Sequence, residues 1–560
     1  SSDAGRLYQV DNNWTEAGIH GNNAPPLISA LVDGVGSTSA NQWVEFDVSD
    51  IVMGNGSFSF GLTTTSSSSH YYSTKEGSHA PQLVLTLNNN SVTSPTADFS
   101  ATPLTGTPPL TVAFSDQTTG QPTSWLWEFG DGTTATVRHP VHTYANAGTY
   151  TVKLTVGNAA GSNSKTRTSY ITVTTPPPTE FKLTPADGMA GDSFGNAVAL
   201  SGETAVIGAA WKDQNGANTG VAYVFRQNGS SWLEQAKLIP GDGAENDYFG
   251  WDVDINGDVI VVGAPFFSSS TANTRPGAAY IFRKQQGIWV QETKLLASDG
   301  SNNNHFGTDV AISGNRVLVG SYQDDAQGID AGAAYVFYWN GYGWVEEAKL
   351  VASDAQATDF FGSSVSLDND TALIGANGDD DKGDWAGAAY VFQRSGSGWV
   401  EKAKLKANDG QANDYFGLSV ALVNDLALIG ANGEDAQGSN AGAAYLFRGS
   451  GANWTQEAKL VANNGGANDY FGTSVTVAEN IAIIGSPQHN SANTDSGNVY
   501  VFEKNGAAWV ESWQLLASDI AAGDQFGYSV AISANNILIG AWEDDDNGNY
   551  SGSAYVYTFQ

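Results

Sequence analysis

The sequence predicts an all-β protein. Two small β-sandwich domains, the first incomplete, precede a seven-bladed β-propeller of four-stranded blades over residues 180–560. Three observations carry this reading. A short stretch, Asp192-Ser193-Phe194-Gly195, occurs in seven copies at intervals of 55 residues, with one interval of 57; a fixed period of that size marks a repeat architecture. Each repeat holds four short apolar runs separated by turn residues, the pattern of a propeller blade. Gly (65 residues) and the aromatics (16 Trp, 22 Tyr, 24 Phe) are abundant, as many short strands joined by tight turns require.

Residues 1–90 read as short strands between polar turns. Arg6–Val10, Gln42–Val48, Ser57–Phe60 and Gln82–Leu87 alternate apolar and polar residues, which indicates an antiparallel sandwich. The motifs Leu7-Tyr8, Asn13–Ile19, Trp43–Val48, Phe58–Leu62, Tyr72–Gly77 and Ala80–Leu83 resemble the carbohydrate-binding modules called DNRLRE domains. Such modules carry further strands before the Leu-Tyr strand, so this copy reads as partial. An incomplete sandwich exposes unpaired edges, which would permit self-assembly by strand addition.

After a polar linker, residues 96–174 read as a second sandwich. The run Trp125-Leu-Trp-Glu-Phe-Gly-Asp-Gly132, followed by His142-Thr-Tyr144 and Gly148-Thr-Tyr-Thr-Val152, resembles a PKD domain, an immunoglobulin-like fold that serves as a spacer or assists polysaccharide binding. Asp131 and His142 read as fold residues, Asp131 in the turn. The run Thr174–Thr179 contains three prolines and reads as a short stiff linker.

One repeat illustrates the blade. Phe361-Gly362 opens the first strand, 363–367, and a turn at 368–370 leads to the second, 371–375. The loop 376–387 leads to the third, 388–392, and a turn leads to the fourth, 399–405. The last repeat ends after its third strand at Tyr557, and Glu180-Phe-Lys-Leu183 matches the end of a fourth strand. The segment 180–184 therefore completes blade seven and closes the ring. The series Phe-Gly, Ile-Gly-Ala, Gly-Ala-Ala-Tyr-Val-Phe resembles the FG-GAP repeats of integrin α-subunits, which implies a seven-bladed propeller. Those repeats take calcium in the hairpin between strands one and two. The corresponding turns here, such as Ser201–Thr204 and Ser313–Asn315, lack the oxygens for a six- to eight-ligand site, so that site is not carried over.

Strand alternation places the loops joining strands four to one, and two to three, on one face. The four-to-one loops carry pairs spaced by five: Asp187/Asp192, Asp242/Asp247, Asp299/Asn304, Asp354/Asp359, Asp409/Asp414, Asn464/Asp469 and Asp519/Asp524. These read as turn caps, a role Asn fills as well as Asp. The two-to-three loops carry Asp324-Asp325, Asp379-Asp380-Asp381, Glu434-Asp435 and Asp544-Asp545-Asp546, but blade two has none. They read either as a calcium site that stabilises the loops or as a solvated acidic rim. The aromatics Trp211, Phe266, Tyr322, Trp385 and Trp542 reach the same face, where a ring can stack on a sugar or pack against the next blade. The Trp residues that open each fourth strand, such as Trp344 and Trp399, read as structural.

A net charge of −34 disfavours nucleic acid and anionic membranes and favours cations and neutral glycans. There is no cysteine, so disulfides and thiolate chemistry are excluded. No run reaches the length of a membrane span. The expected function is a non-catalytic secreted or cell-surface protein that binds glycans or an extracellular protein partner, or builds extracellular structure, with calcium as a stabiliser. A propeller lyase or glycoside hydrolase, and a filament subunit completed through residues 1–90, are the alternatives.

Overall fold

The computed structural model describes residues 5–10, 27–35, 59–63, 92–268, 274–396, 398–491 and 494–559. Among these, every regular element is a β-strand, and no helix is long and apolar enough to cross a membrane. Near the N-terminus, Gly5–Val10 lies between Leu27–Val35 and Ser59–Thr63 in a three-stranded antiparallel sheet. The strand Leu27–Val35 was not among the expected strands. The strands expected at 42–48 and 82–87, and the edges on which strand addition depends, lie outside the described residues.

Residues 92–173 hold a three-stranded sheet containing Phe99–Thr102, Leu110–Asp116 and Val141–Tyr144. A five-stranded sheet includes Ser124–Glu128, Gly148–Asn158 and Gly161–Val173. Leu110–Asp116 alternates buried and exposed along its length, as a half-buried strand must. Phe99, Phe114, Trp127 and Phe129 bury their rings together; Phe99 meets Trp127 edge-on at 5.2 Å. Asp116, 6% exposed, ties the chain locally by accepting from Thr118 N, Trp125 Nε1 and Arg138 Nε, each at 3.0 Å. Asp131 accepts from Thr133 N in its turn at 3.0 Å, a fold role as expected.

The remainder is a propeller of seven four-stranded sheets. Blade one runs from Val198–Ser201 to Ser231–Leu238, and the order of strands within each sheet follows the chain. Blade seven differs as expected. Its outer strand is Thr179–Leu183, paired antiparallel with Ser553–Thr558, with Leu183 opposite Ala554 and buried. The second strand of each blade is wholly or almost wholly buried, as are the first five residues of each third strand, so these stretches read as continuous apolar runs rather than alternating ones. The seven first strands touch their neighbours in order, and the last touches the first.

First strands are sheet edges with unpaired N–H groups, which need covering. Neighbouring blades supply side-chain acceptors. Val198 N donates to Ser529 Oγ at 3.0 Å, Val310 N to Asp252 at 2.8 Å, Ile312 N to Asp254 at 2.7 Å and Leu422 N to Ser366 Oγ at 3.0 Å. Protein surrounds Asp254 despite some residual exposure, and burial pushes its carboxyl up to about 7 against the hydrogen bonds from Ile312 and Ile255.

Blades are joined at the Phe-Gly turn. Each Phe N–H donates to a carbonyl of the preceding blade's two-to-three loop: Phe249 to Thr219, Phe361 to Ala331 and Phe416 to Ala386, all at 3.0 Å. Phe194 closes the circle on Ser551 of blade seven, also at 3.0 Å. The following Gly takes positive φ, and a Cβ there would collide with the first residue of the preceding blade's third strand; Gly417 meets the Ala388 carbonyl. Gly417 has φ +93°, whereas Gly287, in an open hairpin, has φ +87° and open space where a Cβ would stand. Both Gly→Ala changes carry the left-handed cost of about 1–2 kcal/mol. Denaturant unfolding is expected to show Gly417→Ala losing more than ~3 kcal/mol, because backbone must also shift, and Gly287→Ala losing no more than the conformational cost. Equal losses would remove the close approach as the constraint.

Candidate functional site

The Phe-Gly turn also shapes the loop face. The residue before each Phe lies in the left-handed region: Tyr248 at φ 54°, His305 at 54°, Phe360 at 55°, Tyr415 at 55° and Tyr470 at 54°, with Ser193 and Gln525 at 52°. Bulky residues rarely adopt this conformation unless their surroundings impose it. Here the N–H of that residue bonds the preceding blade, as Tyr415 N does to Trp385 O at 3.0 Å. The side chains at this position are half-buried on the loop face in six blades, and Ser193 is buried.

Carboxylates on this face are organised by lysines. In blade three, Lys349 Nζ lies 2.8 Å from Asp299 Oδ2 and 2.9 Å from Asp324 Oδ1, and Tyr335 donates to both acids at 2.7 and 2.8 Å. Blade four repeats this with Lys404, Asp354, Asp379, Asp381 and Tyr390. Blade seven uses Lys182, delivered by the closing strand, with Asp519 at 2.7 Å and Asp544 at 3.0 Å, and Asp546 beside them. Burial opposes the charge on Lys404, but the hydrogen bonds it donates to three aspartates hold it protonated well above its usual range. Burial and the acids around it push the Tyr390 hydroxyl up in turn.

The acids therefore have two local roles. In every blade but the sixth, the first member of the four-to-one pair, expected as a turn cap, is an ion-pair partner of the fourth-strand lysine. A reading by spacing alone missed this because the lysine stands about 50 residues later. The second member does cap its turn: Asp359 Oδ2 accepts from Gln356 N at 2.7 Å and Asp414 Oδ2 from Gln411 N at 2.8 Å. Burial, with the neighbouring Asp379 carboxylate, pushes Asp359 up to about 6.

In the two-to-three loops, Asp324, Asp379, Glu434 and Asp544 share one buried repeat position, which Lys212, Phe267 and His489 fill in the other blades. Asp325, Asp380, Asp435 and Asp545 are exposed and cap the same turn, accepting from Asp330, Trp385, Asn440 and Tyr550 N–H groups at 2.7–2.8 Å. Asp519, Asp544 and Asp546 converge closely enough to ligate a metal, but the Lys182 ammonium stands within 3.0 Å of all three. A divalent ion fits there only by displacing it.

The aromatics join into an arc. Tyr528 meets Trp542, which meets Trp211 at 5.5 Å; Trp211 meets Trp251 at 5.4 Å, and Trp251 meets Phe266 at 5.5 Å. The arc continues through His305, Tyr322 and Phe360 to Trp385 and Tyr415, with successive centroids 4.7–5.8 Å apart. Within it, Trp251, Phe266, Tyr322, Phe360 and Trp385 wall a cavity of about 310 Å³. Thr308, Ser363 and Asn377 add polar groups, and His305 Nδ1 lies 3.0 Å from Tyr322 OH. Burial lowers the His305 pKa, which favours the neutral ring.

Of the four expected ligand-binding aromatics, Tyr322 and Trp385 line this cavity, while Trp211 and Trp542 pack farther along the arc. Phe360, Trp251, Thr308, Ser363 and Asn377 were missed. The legible signal was the residue before each Phe-Gly, which is aromatic or His in five repeats of seven.

Trp385 stands out within the cavity. Its backbone position is left-handed in five other blades, where Asn218, Asp330, Asn440, Asp495 and Tyr550 occupy it. Asn and Asp tolerate that conformation. Trp385 adopts it at φ 59° with 39% of its surface exposed.

The family model for the FG-GAP repeat matches residues 179–225, 232–282, 289–337, 344–392, 399–447, 454–502 and 509–557. The chain belongs to the FG-GAP repeat family. Ahead of its FG-GAP propeller, a PKD domain model matches residues 92–173, and a model for carbohydrate-binding module family 96 matches residues 1–87. Collagenase ColA of Bacillus cereus is 50% identical over 60 residues, 11% of this chain and 6% of the collagenase. Collagenase ColQ1 of Bacillus cereus is 46% identical over 50 residues, 9% and 5% of the two chains. The chain thus spans a small fraction of the curated relatives it matches. The crystal structure of the PKD1 domain from Vibrio cholerae metalloprotease PrtV is 34% identical, covering 15% of this chain and 99% of that domain at a TM-score of 0.13. The PKD1 domain of Vibrio anguillarum Epp is 33% identical, covering 14% and 96% at the same TM-score.

The lysine latches carry a stability test. Lys349→Met leaves Asp324, 3% exposed at its side chain, without its cation. Chemical denaturation is expected to show a loss of about 3–5 kcal/mol. Arg226→Met, at an ion pair whose side chains are 48% and 63% exposed, is expected to lose no more than ~1 kcal/mol. Comparable losses at the two sites would show that the loop acids do not depend on lysine.

Proposed function

We propose that this protein is an extracellular glycan-binding protein whose FG-GAP propeller takes a neutral polysaccharide in the aromatic cavity of its loop face. The observation that carries the reading is Trp385. A large apolar ring occupies a strained loop position that the two adjoining blades fill with Asp330 and Asn440 and blade seven with Tyr550, and of these only Trp385 stands, partly exposed, in the wall of the cavity. Strain maintained at an exposed aromatic indicates a contact surface rather than packing. Apolar walls with a few convergent hydroxyl and amide groups suit a ligand that is apolar on its faces and polar at its edges, as a pyranose ring is.

Charge selects among glycans. With −34 overall and acidic latches beside the cavity, a polyanionic chain would be repelled, so a neutral one is favoured. The carbohydrate-binding module match at residues 1–87 and the PKD match support an extracellular glycan context.

Affinity electrophoresis of the full chain against neutral polysaccharides (β-glucans, mannans, chitin oligomers) and acidic ones (alginate, pectate) tests this. Trp385→Ala and Phe360→Ala are expected to weaken binding of a neutral polysaccharide by about 10-fold, ~1.4 kcal/mol. Tyr342→Ala, at a 97% exposed ring on the opposite face, should leave binding unchanged. Undiminished binding in both cavity variants would assign glycan recognition elsewhere in the chain.

A further inference from the structure

One contact on the loop face breaks the pattern that the other blades follow. It lies between the buried two-to-three loop position and the second residue of the four-to-one pair. Three blades place a donor opposite an acceptor there: Lys212 with Asp192 at 2.7 Å, Asn304 with Asp324 at 3.0 Å and His489 with Asp469 at 2.6 Å. Blades four, five and seven instead bring two acids to the equivalent positions, Asp359 with Asp379, Asp414 with Glu434 and Asp524 with Asp544.

In blades four and seven the loop acid is still satisfied. Asp379 accepts from Asp381 N at 3.1 Å, Tyr390 OH at 3.0 Å and Lys404 at 2.6 Å. Asp544 accepts from Asp546 N at 3.1 Å, Tyr555 OH at 2.9 Å and Lys182 at 3.0 Å. Blade five differs. Glu434 Oε1 accepts from Ala436 N at 3.0 Å and Lys459 at 2.8 Å, but Glu434 Oε2 has no partner although the residue is only 4% exposed. The Tyr445 hydroxyl, on a fully buried residue, also has none. It interacts with the Asp409 carboxylate, but outside the distance and angle of a full hydrogen bond. The six equivalent tyrosines all donate to their four-to-one loop residue. Glutamate is one methylene longer than the aspartates at this position, which accounts for the altered register.

Two buried oxygens without partners, beside a second acid, are costly unless something binds them. Three carboxylates (Asp409, Asp414, Glu434) face one lysine (Lys459), which leaves two negative charges uncompensated. We infer that blade five holds a hard metal cation of calcium's class between Glu434 Oε2, the Asp414 carboxylate and the Tyr445 hydroxyl. All donors are oxygen, as such cations prefer, and water completes a shell of roughly six to eight ligands. The inference is independent of the glycan reading.

The test uses the full chain, stripped with a chelator and dialysed. Calcium, magnesium and sodium are titrated separately by calorimetry and by thermal melting. Asp414→Asn recreates the Asn–acid pair of blade three and so keeps a native solution to the contact; Glu434→Gln is the second variant. The expected result is one calcium equivalent bound by the parent chain with a raised Tm, and loss of both effects in each variant. Binding of no cation by the parent chain would leave water or a shared proton in the gap and overturn the inference. Undiminished binding and an unchanged Tm shift in either variant would place the cation elsewhere and overturn it equally.

Discussion

The close approach of each Phe-Gly turn to the preceding blade is the constraint on which the rest depends. The Phe N–H and the bare Gly Cα meet carbonyls that belong to the blade before, and Phe194 repeats the contact across the point of closure. The residue before Phe is held left-handed as a result, at about 1–2 kcal/mol for an ordinary side chain. That cost recurs in every blade, and in six of them the same geometry delivers a half-buried side chain to the loop face. The aromatic arc is therefore a by-product of the joint between blades. Its rings stand 4.7–5.8 Å apart because the turns that carry them are spaced by the blades themselves.

A second regularity is electrostatic. An acid in one loop, a tyrosine on the third strand and a lysine on the fourth form a latch that ties both loops to the blade. The lysine of blade seven comes from the strand that closes the ring, so closure and loop order share one residue, Lys182. Where one member changes, its neighbours change with it. Blade six has Gln514 where others have lysine, and there Asn464 replaces the acid and His489 bonds Asp469. Such compensation is what a buried polar cluster demands, since a half-satisfied one destabilises more than an apolar replacement.

Most of this architecture was legible in the sequence. Period, strand count and the closing strand follow from apolar runs and turn residues, which act over a few residues. The ion pairs were not legible, because Lys349 and Asp299 meet only after a whole blade has been wound. The acids of the two-to-three loops showed an irregular distribution but not its reason: a buried position that accepts Lys212, Phe267 or His489 as well as Asp324, Asp379, Glu434 or Asp544. Tyr322 and Trp385 could be placed on the loop face from strand direction. Their convergence with Trp251 and Phe360 on one cavity depends on the angle between blades, which no local pattern encodes.

The propeller thus presents a ring-lined cavity, and residues 1–87 match a carbohydrate-binding module family. The two could act on the same polymer, and a single measurement separates them. Hydrogen–deuterium exchange of the full chain, with and without a neutral oligosaccharide that it binds, reports protection by segment. The account predicts protection of the loops around 305–323 and 358–386. Protection confined to residues 1–87, with those loops unchanged at saturating ligand, would contradict it.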